Sequence, residues 1–267
     1  MICFPNAKIN LGLHIVEKRN DGYHNIETCF YPIPLHDALE IVPSSECSFT
    51  QVGLSLESLP SDNLVMKALN LYKKQYDVPP LSVYLKKVIP VGAGLGGGSA
   101  DAAFMLKLLN AFTSQNLHDD ELEKMAGEIG ADCPFFIQNK PTIASGIGNI
   151  FDSIELSLKG YTLCIIKPNI SVSTKNAYAS VKPARPAVAL QEILQRPVTE
   201  WKKLLINDFE PSIFQKYPVI SEIKKFLYAH EAVYAAMSGS GSAVFGLFEK
   251  DVNLSFPDCY IWKGMLK

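Results

Sequence analysis

Long hydrophobic runs, paired cysteines and an excess of charge of either sign are all missing from this 267-residue chain. No stretch reaches the roughly 18 consecutive apolar residues that a spanning helix needs. The start, MICFPNAKIN, has no basic segment ahead of an apolar core, so neither export nor a membrane span is expected. The six cysteines (Cys3, Cys29, Cys47, Cys133, Cys164 and Cys259) form no C-x-x-C pair and no zinc-like spacing. Buried thiols in a reducing cytoplasm account for them most simply. With 25 Lys+Arg against 27 Asp+Glu, the formal charge of −2 gives no bulk attraction to nucleic acid or to an anionic membrane. No dense Lys/Arg cluster supplies a local attraction either. What the composition does supply is a core: 48% of residues are hydrophobic and 19% charged, enough for one large domain or two closely packed ones.

Strand-like and helix-like patterns alternate along the chain without a fixed repeat, which predicts α/β or α+β construction. AKINLGLHIVEK (7–18) reads as a strand with Ile9, Leu11, Leu13 and Ile15 on one face, and RNDGYH as the turn after it. SDNLVMKALNLYKKQY places Leu64, Val65, Ala68, Leu69 and Tyr72 at helical spacing behind the cap candidates Ser61 and Asp62. LSVYLKKVIP alternates through Leu81, Val83 and Leu85 as a strand. SADAAFMLKLLNAF then carries Ala102, Met105, Leu106, Leu109 and Phe112 as a helical stripe. DDELEKMAGEIG predicts a helix with acids in its first turn and Gly130 at its end. In the second half, YTLCIIKP predicts a strand, KPARPA (182–187) an exposed connection, and ALQEILQR, VTEWKKLLIN and PVISEIKKFLYAH helices. AVYAAMSGSGSAVFGLF reads as two apolar elements around a Ser/Gly turn. A domain boundary is expected near residue 150, giving 1–150 and 151–254, with 255–267 a candidate to return to the first domain.

Between the predicted strand at 81–90 and the predicted helix after it lies GAGLGGGSADAA, with five glycines in the seven positions 92–98. Glycines permit positive φ and close backbone approach, and inward-pointing N–H groups at a helix start form a nest whose positive dipole end favours phosphate. A flexible linker is the plainer alternative, but linkers are not ordinarily docked between a strand and an amphipathic helix. The Walker pattern GxxxxGK[ST] is absent, since no Lys precedes Ser99. Gly92, Gly94 and Gly97 fit GxGxxG by letter. A dinucleotide fold, however, would place that motif in its first βαβ unit and end the next strand on an acid about 20 residues later. Here the loop begins some 90 residues in, and Asp119 and Asp120 open a helix.

Asp132, in GADCP, follows a glycine-ended helix and precedes Pro134, which is expected to turn the chain out of helical geometry and hold the carboxylate on a rigid corner. It is the best candidate for a general base. Lys8 is alone among apolar neighbours on the first strand, and a buried lysine demands a partner.

The wider pattern PxxxGLGGGSADAA, with Pro90 ahead of Gly94 to Ala103, resembles the phosphate loop of the GHMP kinases, small-molecule kinases that bind ATP with a glycine-rich loop unrelated to the Walker one. PNAKINLGLHI and MSGSGSAVFG match the same superfamily, in the right order across most of the chain. Within it, PNAKINLGLHI followed by RNDGYHNIETCF, GADCPFFI and the ASGIG segment is similar to the 4-diphosphocytidyl-2-C-methyl-D-erythritol kinase family. That family phosphorylates the 2-hydroxyl of a cytidine-diphosphate-linked sugar alcohol in the non-mevalonate route to isoprenoid precursors.

The resemblance implies an α+β two-domain GHMP kinase fold: a ribosomal-protein-S5-like N-terminal domain that binds ATP, a ferredoxin-like C-terminal domain that binds substrate, and an active site in the cleft between them. It implies that Lys8 and Asp132 pair at the acceptor hydroxyl. A lysine there would lower the carboxylate's pKa, so Asp132 is expected to orient the hydroxyl and accept its proton late, with Lys8 favouring the developing negative charge. It assigns Pro90, Gly92, Gly94, Leu95, Gly96, Gly97, Gly98, Ser99 and Ala100 to the ATP phosphates, and Asn63 and Lys87 to the adenine side. It assigns Asn10, Tyr23, His24 and Thr174 to the substrate pocket, with Tyr178 either stacking on cytosine or packing in the core. Mg²⁺ should bridge the β- and γ-phosphates, with Ser99 as the best protein contact and Asp101 also available; no metal site built wholly from protein is expected. Asp101 stands where Asn is common in the family, and 183–204 matches it poorly. SGSGS (238–242) is expected to pack its amides against phosphates or substrate, or to be an ordinary tight turn. His14, His36, His118 and His230 show no metal-ligand spacing.

Other readings remain at this point: a kinase of mevalonate, phosphomevalonate, homoserine or a sugar; a nucleotide-dependent dehydrogenase resting on GxGxxG alone; and a nucleic-acid-binding protein sharing the first-domain architecture. Expected partners are the small cytidyl alcohol, no nucleic acid and no membrane, with the chain a monomer or weak homodimer in the cytoplasm.

Overall fold

The computed structural model describes residues 1–54, 62–179 and 181–267. The chain forms two compact units, Met1–Ala7 with Leu35–Val91 and Gly96–Lys140, and Lys8–Pro34 with Gly92–Leu95 and Pro141–Lys267. It therefore passes between units several times rather than once near residue 150.

The first unit is built on a four-stranded sheet of β1 (Ile2–Cys3), β4 (Ala38–Pro43), β5 (Ser48–Gly53) and β6 (Leu81–Lys87), in the order β1-β4-β6-β5. β5 and β6 are parallel, a pairing that needs a crossover, and the connection carries α1 (Leu64–Lys73). The alternation in β6 continues one step beyond the expected apolar residues: Leu81, Val83, Leu85 and also Lys87 face inward, while Tyr84 and Lys86 are exposed. Over that face pack α1, α2 (Gly97–Thr113), α3 (Asp119–Ile129) and α4 (Phe135–Gln138), burying Val65, Leu69, Met105, Leu109 and Phe136. The cap of α1 is Asn63, whose Oδ1 accepts from Val65 N at 2.9 Å; of the two expected caps, Ser61 lies outside the described residues and Asp62 precedes the true one. α3 begins as expected, with Glu121 reaching back to accept from His118 N at 3.1 Å, and ends at Gly130.

The second unit holds two sheets. One is β2 (Asn6–Lys18), β3 (His24–His36), β7 (Thr142–Ser145) and β8 (Ile150–Ser153), in the order β2-β3-β7-β8. The other is antiparallel, β10-β11-β9-β12, from β9 (Thr162–Pro168), β10 (Tyr234–Met237), β11 (Val244–Phe248) and β12 (Cys259–Met265). The C-terminal strand thus pairs with β9, Ile261 opposite Ile166, and does not return to the first unit. β9 is apolar on both faces and central, and β12 satisfies its second edge. One core cluster joins Leu13, Ile15 and Ile26 of the first sheet to Ile166, Met237 and Val244 of the second. α8 (Glu210–Lys216) and α9 (Pro218–Ala229) pack into the same core, and α5 (Thr174–Ala179) adds Ala177.

The helices expected from ALQEILQR and VTEWKKLLIN are shorter than their patterns. α6 (Leu190–Leu194) stops three residues before Pro197, and a 3₁₀ turn leads into α7 (Trp201–Leu204). Proline disfavours helical geometry in the residue before it, which divides the segment. No helix among the described residues is long and apolar enough to cross a membrane.

Candidate active site

The glycine-rich segment leaves β6 and enters α2, as its position in the sequence predicts. Gly92, Gly94 and Gly96 have φ of 62°, 74° and 71°. Gly96 is the left-handed N-cap of α2, and no side chain caps this helix, so the first turn presents backbone N–H groups and the positive end of a 17-residue dipole. Two glycines are also required by packing. A Cβ on Gly97 would lie 2.7 Å from Ile89 Cγ2, and one on Gly94 would lie 1.9 Å from the Ser238 carbonyl oxygen. Pro90, Leu95 and Ala100 are buried, whereas Gly98 is exposed and Ser99 half-buried. A closely approached, anion-favouring backbone of this kind fits a polyphosphate.

Asp132 sits in the turn after α3, half-buried. The turn is closed by Cys133 N donating to Gly130 O at 3.1 Å. Pro134 does not break helical geometry as expected. At φ −59° and ψ −33° it heads α4, because its missing N–H falls where a helix start has no internal partner. The Cys133 thiol is hydrogen-bonded to Ser99, which brings the Asp132 turn beside the first turn of α2. Burial pushes that thiol up to about 11, against the Ser99 bond and helped by the Asp132 charge.

In the second unit three separate sequence motifs meet. Lys8 and Asn10 lie on β2 and are each 3% exposed. Lys8 Nζ donates to Asn10 Oδ1 at 2.6 Å and lies 4.4 Å from the Phe30 ring centroid. Asn10 Nδ2 donates to Thr28 Oγ1 at 3.1 Å. Lys8 N donates to Leu95 O at 2.9 Å, and Ser238 Oγ donates to Gly94 O at 2.8 Å while accepting from Asn10 N at 3.2 Å. The SGSGS turn is itself pinned by Asn207, whose Nδ2 donates to Met237 O and Gly239 O, both at 2.8 Å. β2 was expected to bury one face; residues 6–15 are buried on both, and the polar face carries this cluster.

His24 and Tyr178 stack at 4.9 Å and 20°, and Tyr178 meets Phe209 edge-on at 4.9 Å. Tyr178 thus packs against the core cluster while its ring stacks on His24. His24 has its pKa lowered, by partial burial first and by Lys18 second, which favours neutral imidazole. Tyr23 is 62% exposed, at the tip of a turn held by Arg19 and Asp21. Thr174 Oγ1 lies 3.2 Å from Ser240 Oγ, next to the SGSGS turn. Asn63, besides capping α1, donates to Gln51 Oε1 at 3.2 Å.

Lys87 ends β6 on its buried face. It is 3% exposed, and its ammonium is committed to two carboxylates, Asp37 Oδ2 and Asp101 Oδ2, the latter at 2.6 Å. Asp37 was missed altogether. The signal that points to Lys87's burial is its register with Leu81, Val83 and Leu85. Asp101 is 2% exposed, and its Oδ2 is held by Lys87, which withdraws that oxygen from a metal. Its carboxyl is pushed up to about 8 by burial, opposed by Lys87 and reinforced by Asp37. Burial also opposes the charge of Lys87, but the two aspartates outweigh it and the ammonium stays protonated.

The GHMP kinases N terminal domain matches residues 63–140, and the GHMP kinases C terminal domain matches residues 189–254. The chain is 59% identical over 270 residues to the 4-diphosphocytidyl-2-C-methyl-D-erythritol kinase of Parabacteroides distasonis, and 57% identical over 274 residues to that of Bacteroides fragilis. In both comparisons all of each chain is covered. Its fold superposes with TM-score 0.81 and 32% identity on a crystal structure of 4-(cytidine 5'-diphospho)-2C-methyl-D-erythritol kinase, covering 92% of this chain and 90% of that one. The mevalonate kinase of Methanococcus jannaschii shares the fold alone, at TM-score 0.66 and 17% identity, over 100% and 98% of the two chains. The dehydrogenase alternative lapses: this chain is an ATP-dependent kinase and belongs to the 4-diphosphocytidyl-2-C-methyl-D-erythritol kinase family of the GHMP kinases.

Proposed function

We propose that the chain transfers the γ-phosphoryl group of ATP to the 2-hydroxyl of 4-diphosphocytidyl-2-C-methyl-D-erythritol, with Asp132 and Lys8 serving the acceptor. The hydroxyl oxygen forms a bond to the γ-phosphorus, the bond from that phosphorus to the β–γ bridging oxygen breaks, and ADP leaves. The hydroxyl proton passes to the Asp132 carboxylate. Phosphoryl transfer asks little covalent chemistry of a protein and much positioning. Asp132 therefore acts chiefly by aligning the hydroxyl, and Lys8 by favouring negative charge as it develops. The glycine loop from Gly92 to Gly98 binds the phosphates through backbone N–H groups. Mg²⁺, when bound, neutralises charge on the β- and γ-phosphates, and Ser99 is the protein group assigned to it. Asn10, His24, Thr174 and Tyr178 hold the cytidyl alcohol. The neutral imidazole and the Tyr178 ring suit an uncharged base that stacks and offers a hydrogen-bonding edge.

The observation that carries this reading is the hydrogen-bonded junction of Lys8, Asn10, Gly94, Leu95 and Ser238. Three motifs remote in sequence meet there, joining the loop that takes phosphate to the strand that bears the lysine. The test is ADP release with ATP and Mg²⁺, offering the cytidyl alcohol, mevalonate, homoserine and galactose in parallel. Turnover on the cytidyl alcohol alone, lost by at least about 100-fold in Asp132→Asn, is expected from removal of a proton acceptor. Turnover on another alcohol would discard the pocket assignment, and an active Asp132→Asn would discard the acceptor-side role.

A further inference from the structure

Beside the start of α2 the first unit buries three ionisable side chains that the transfer reaction does not use. Asp37, at the corner between β3 and β4, is 1% exposed; Lys87 ends β6; Asp101 lies in the second turn of α2. Asp37 Oδ1 accepts from two consecutive backbone amides on the leg entering the loop, Val88 N at 2.5 Å and Ile89 N at 2.9 Å. Its Oδ2 accepts from Lys87 Nζ, which also donates to Asp101 Oδ2 at 2.6 Å on the leg leaving the loop. The ammonium sits directly under the first residue of the helix, since a Cβ on Gly97 would be 3.3 Å from Lys87 Nζ.

We propose that Asp37, Lys87 and Asp101 are positioning residues for nucleotide binding, a buried clamp that ties the entering leg of the phosphate loop to the leaving leg. This rests on the reading of the loop as the phosphate site. A buried ion network is weak evidence for stability, because desolvation offsets most of its attraction. What marks this one is its place. Two backbone amides on one leg and a side chain on the other are held by a single lysine–aspartate unit, and the group nearest the helix start is the cation. Cutting either bond of the lysine frees the two legs to part, and the backbone N–H groups between them then lose the fixed arrangement that a phosphate needs. The clamp makes its contribution before the ligand arrives, so its loss is read as weaker affinity for the nucleotide rather than as a failure of chemistry.

The test is calorimetric binding of ADP with Mg²⁺ at pH 7, which needs no acceptor alcohol and so separates failure of the clamp from failure of the substrate reading. Lys87→Met keeps the length and removes the charge, and Asp37→Asn sets an amide against the lysine donors while keeping an acceptor for Val88 and Ile89. Each is expected to weaken the Kd for ADP about tenfold while circular dichroism reports a folded protein. Leu109→Ala, buried three turns further along α2 and away from the loop, should lower the thermal midpoint at least as much yet leave that Kd within twofold of wild type. In the wild-type protein, hydrogen exchange at the Val88 and Ile89 amides is expected to slow about tenfold when ADP saturates the site, because opening them releases the loop. A folded Lys87→Met or Asp37→Asn with wild-type affinity would overturn the clamp, as would equal weakening in Leu109→Ala. Should neither variant fold, exchange at Val88 and Ile89 that ignores ADP would overturn it from the wild type alone.

Discussion

Replacing Gly94 by alanine probes the closest backbone approach in the site. Gly94 has φ of 74°, and placing an L residue in that region costs about 1–2 kcal/mol. The larger effect is steric: the new Cβ would stand 1.9 Å from the Ser238 carbonyl oxygen, and ordinary contact begins near 3.4 Å, so the two backbones must part by about 1.5 Å (3.4 − 1.9). The Ser238 turn has little room to yield, because Asn207 holds the carbonyls on either side of it. The loop must move instead, and with it the Ser238 Oγ bond to Gly94 O. A displacement near 1 Å at a positioning element costs about 100-fold in rate. Gly94→Ala is thus expected to lose about 100-fold in kcat/KM for ATP in a coupled ADP-release assay, with a thermal midpoint only several degrees lower. The matched control is Gly160→Ala, where φ is 92° but nothing lies within 4 Å of the new Cβ. It carries the strain without the clash and should lose stability with kinetics within twofold of wild type. A Gly94→Ala enzyme within threefold of wild type would refute the reasoning.

Asn63→Ala removes the α1 cap and should lower stability by about 1 kcal/mol, read from urea unfolding, with Asn63→Asp restoring it. Tyr178→Ala removes the ring stacked on His24 and is expected to raise KM for the cytidyl alcohol about tenfold while leaving KM for ATP within twofold. Because the His24 pKa is lowered, its ring is neutral from pH 7 upward, and KM for that substrate should stay flat between pH 7 and 8.5 in steady-state assays. Asp101 predicts a stability slope. With its folded carboxyl near 8 and its unfolded one at the ordinary value near 3.8, the native state binds the extra proton between them, so this group's contribution falls as pH rises through that window. Urea midpoints of wild type minus those of Asp101→Asn should accordingly decline from pH 5 to pH 8; a difference that stays constant would contradict the assignment.

Local pattern carried much of the molecule. The glycine run between a strand and a helix, the stripes of α1 and α2, the acidic start of α3 and the two apolar elements around SGSGS were all legible. Each depends on interactions within a few residues: helical and strand periods, caps, and the φ freedom of glycine. Lys87 was legible in part, since its register with Leu81, Val83 and Leu85 marks it as inward-facing. Its partners were not, because Asp37 and Asp101 lie 50 and 14 residues away and only the packing of β6 against the β3–β4 corner and α2 brings them together. The same holds for the pairing of β12 with β9 and for the meeting of Asn10, Gly94 and Ser238. Pro134, read alone, signals a break, yet it begins a helix, because proline's geometry suits a first turn as well as it ends a last one. Sequence by itself marked the strands β2, β6 and β9, the helices α1, α2, α3 and α9, and the residue types available for phosphoryl transfer. Tertiary structure alone decided which charges are paired, which backbones touch and which strand fills an open edge, because those depend on contacts that chain-local preferences do not encode.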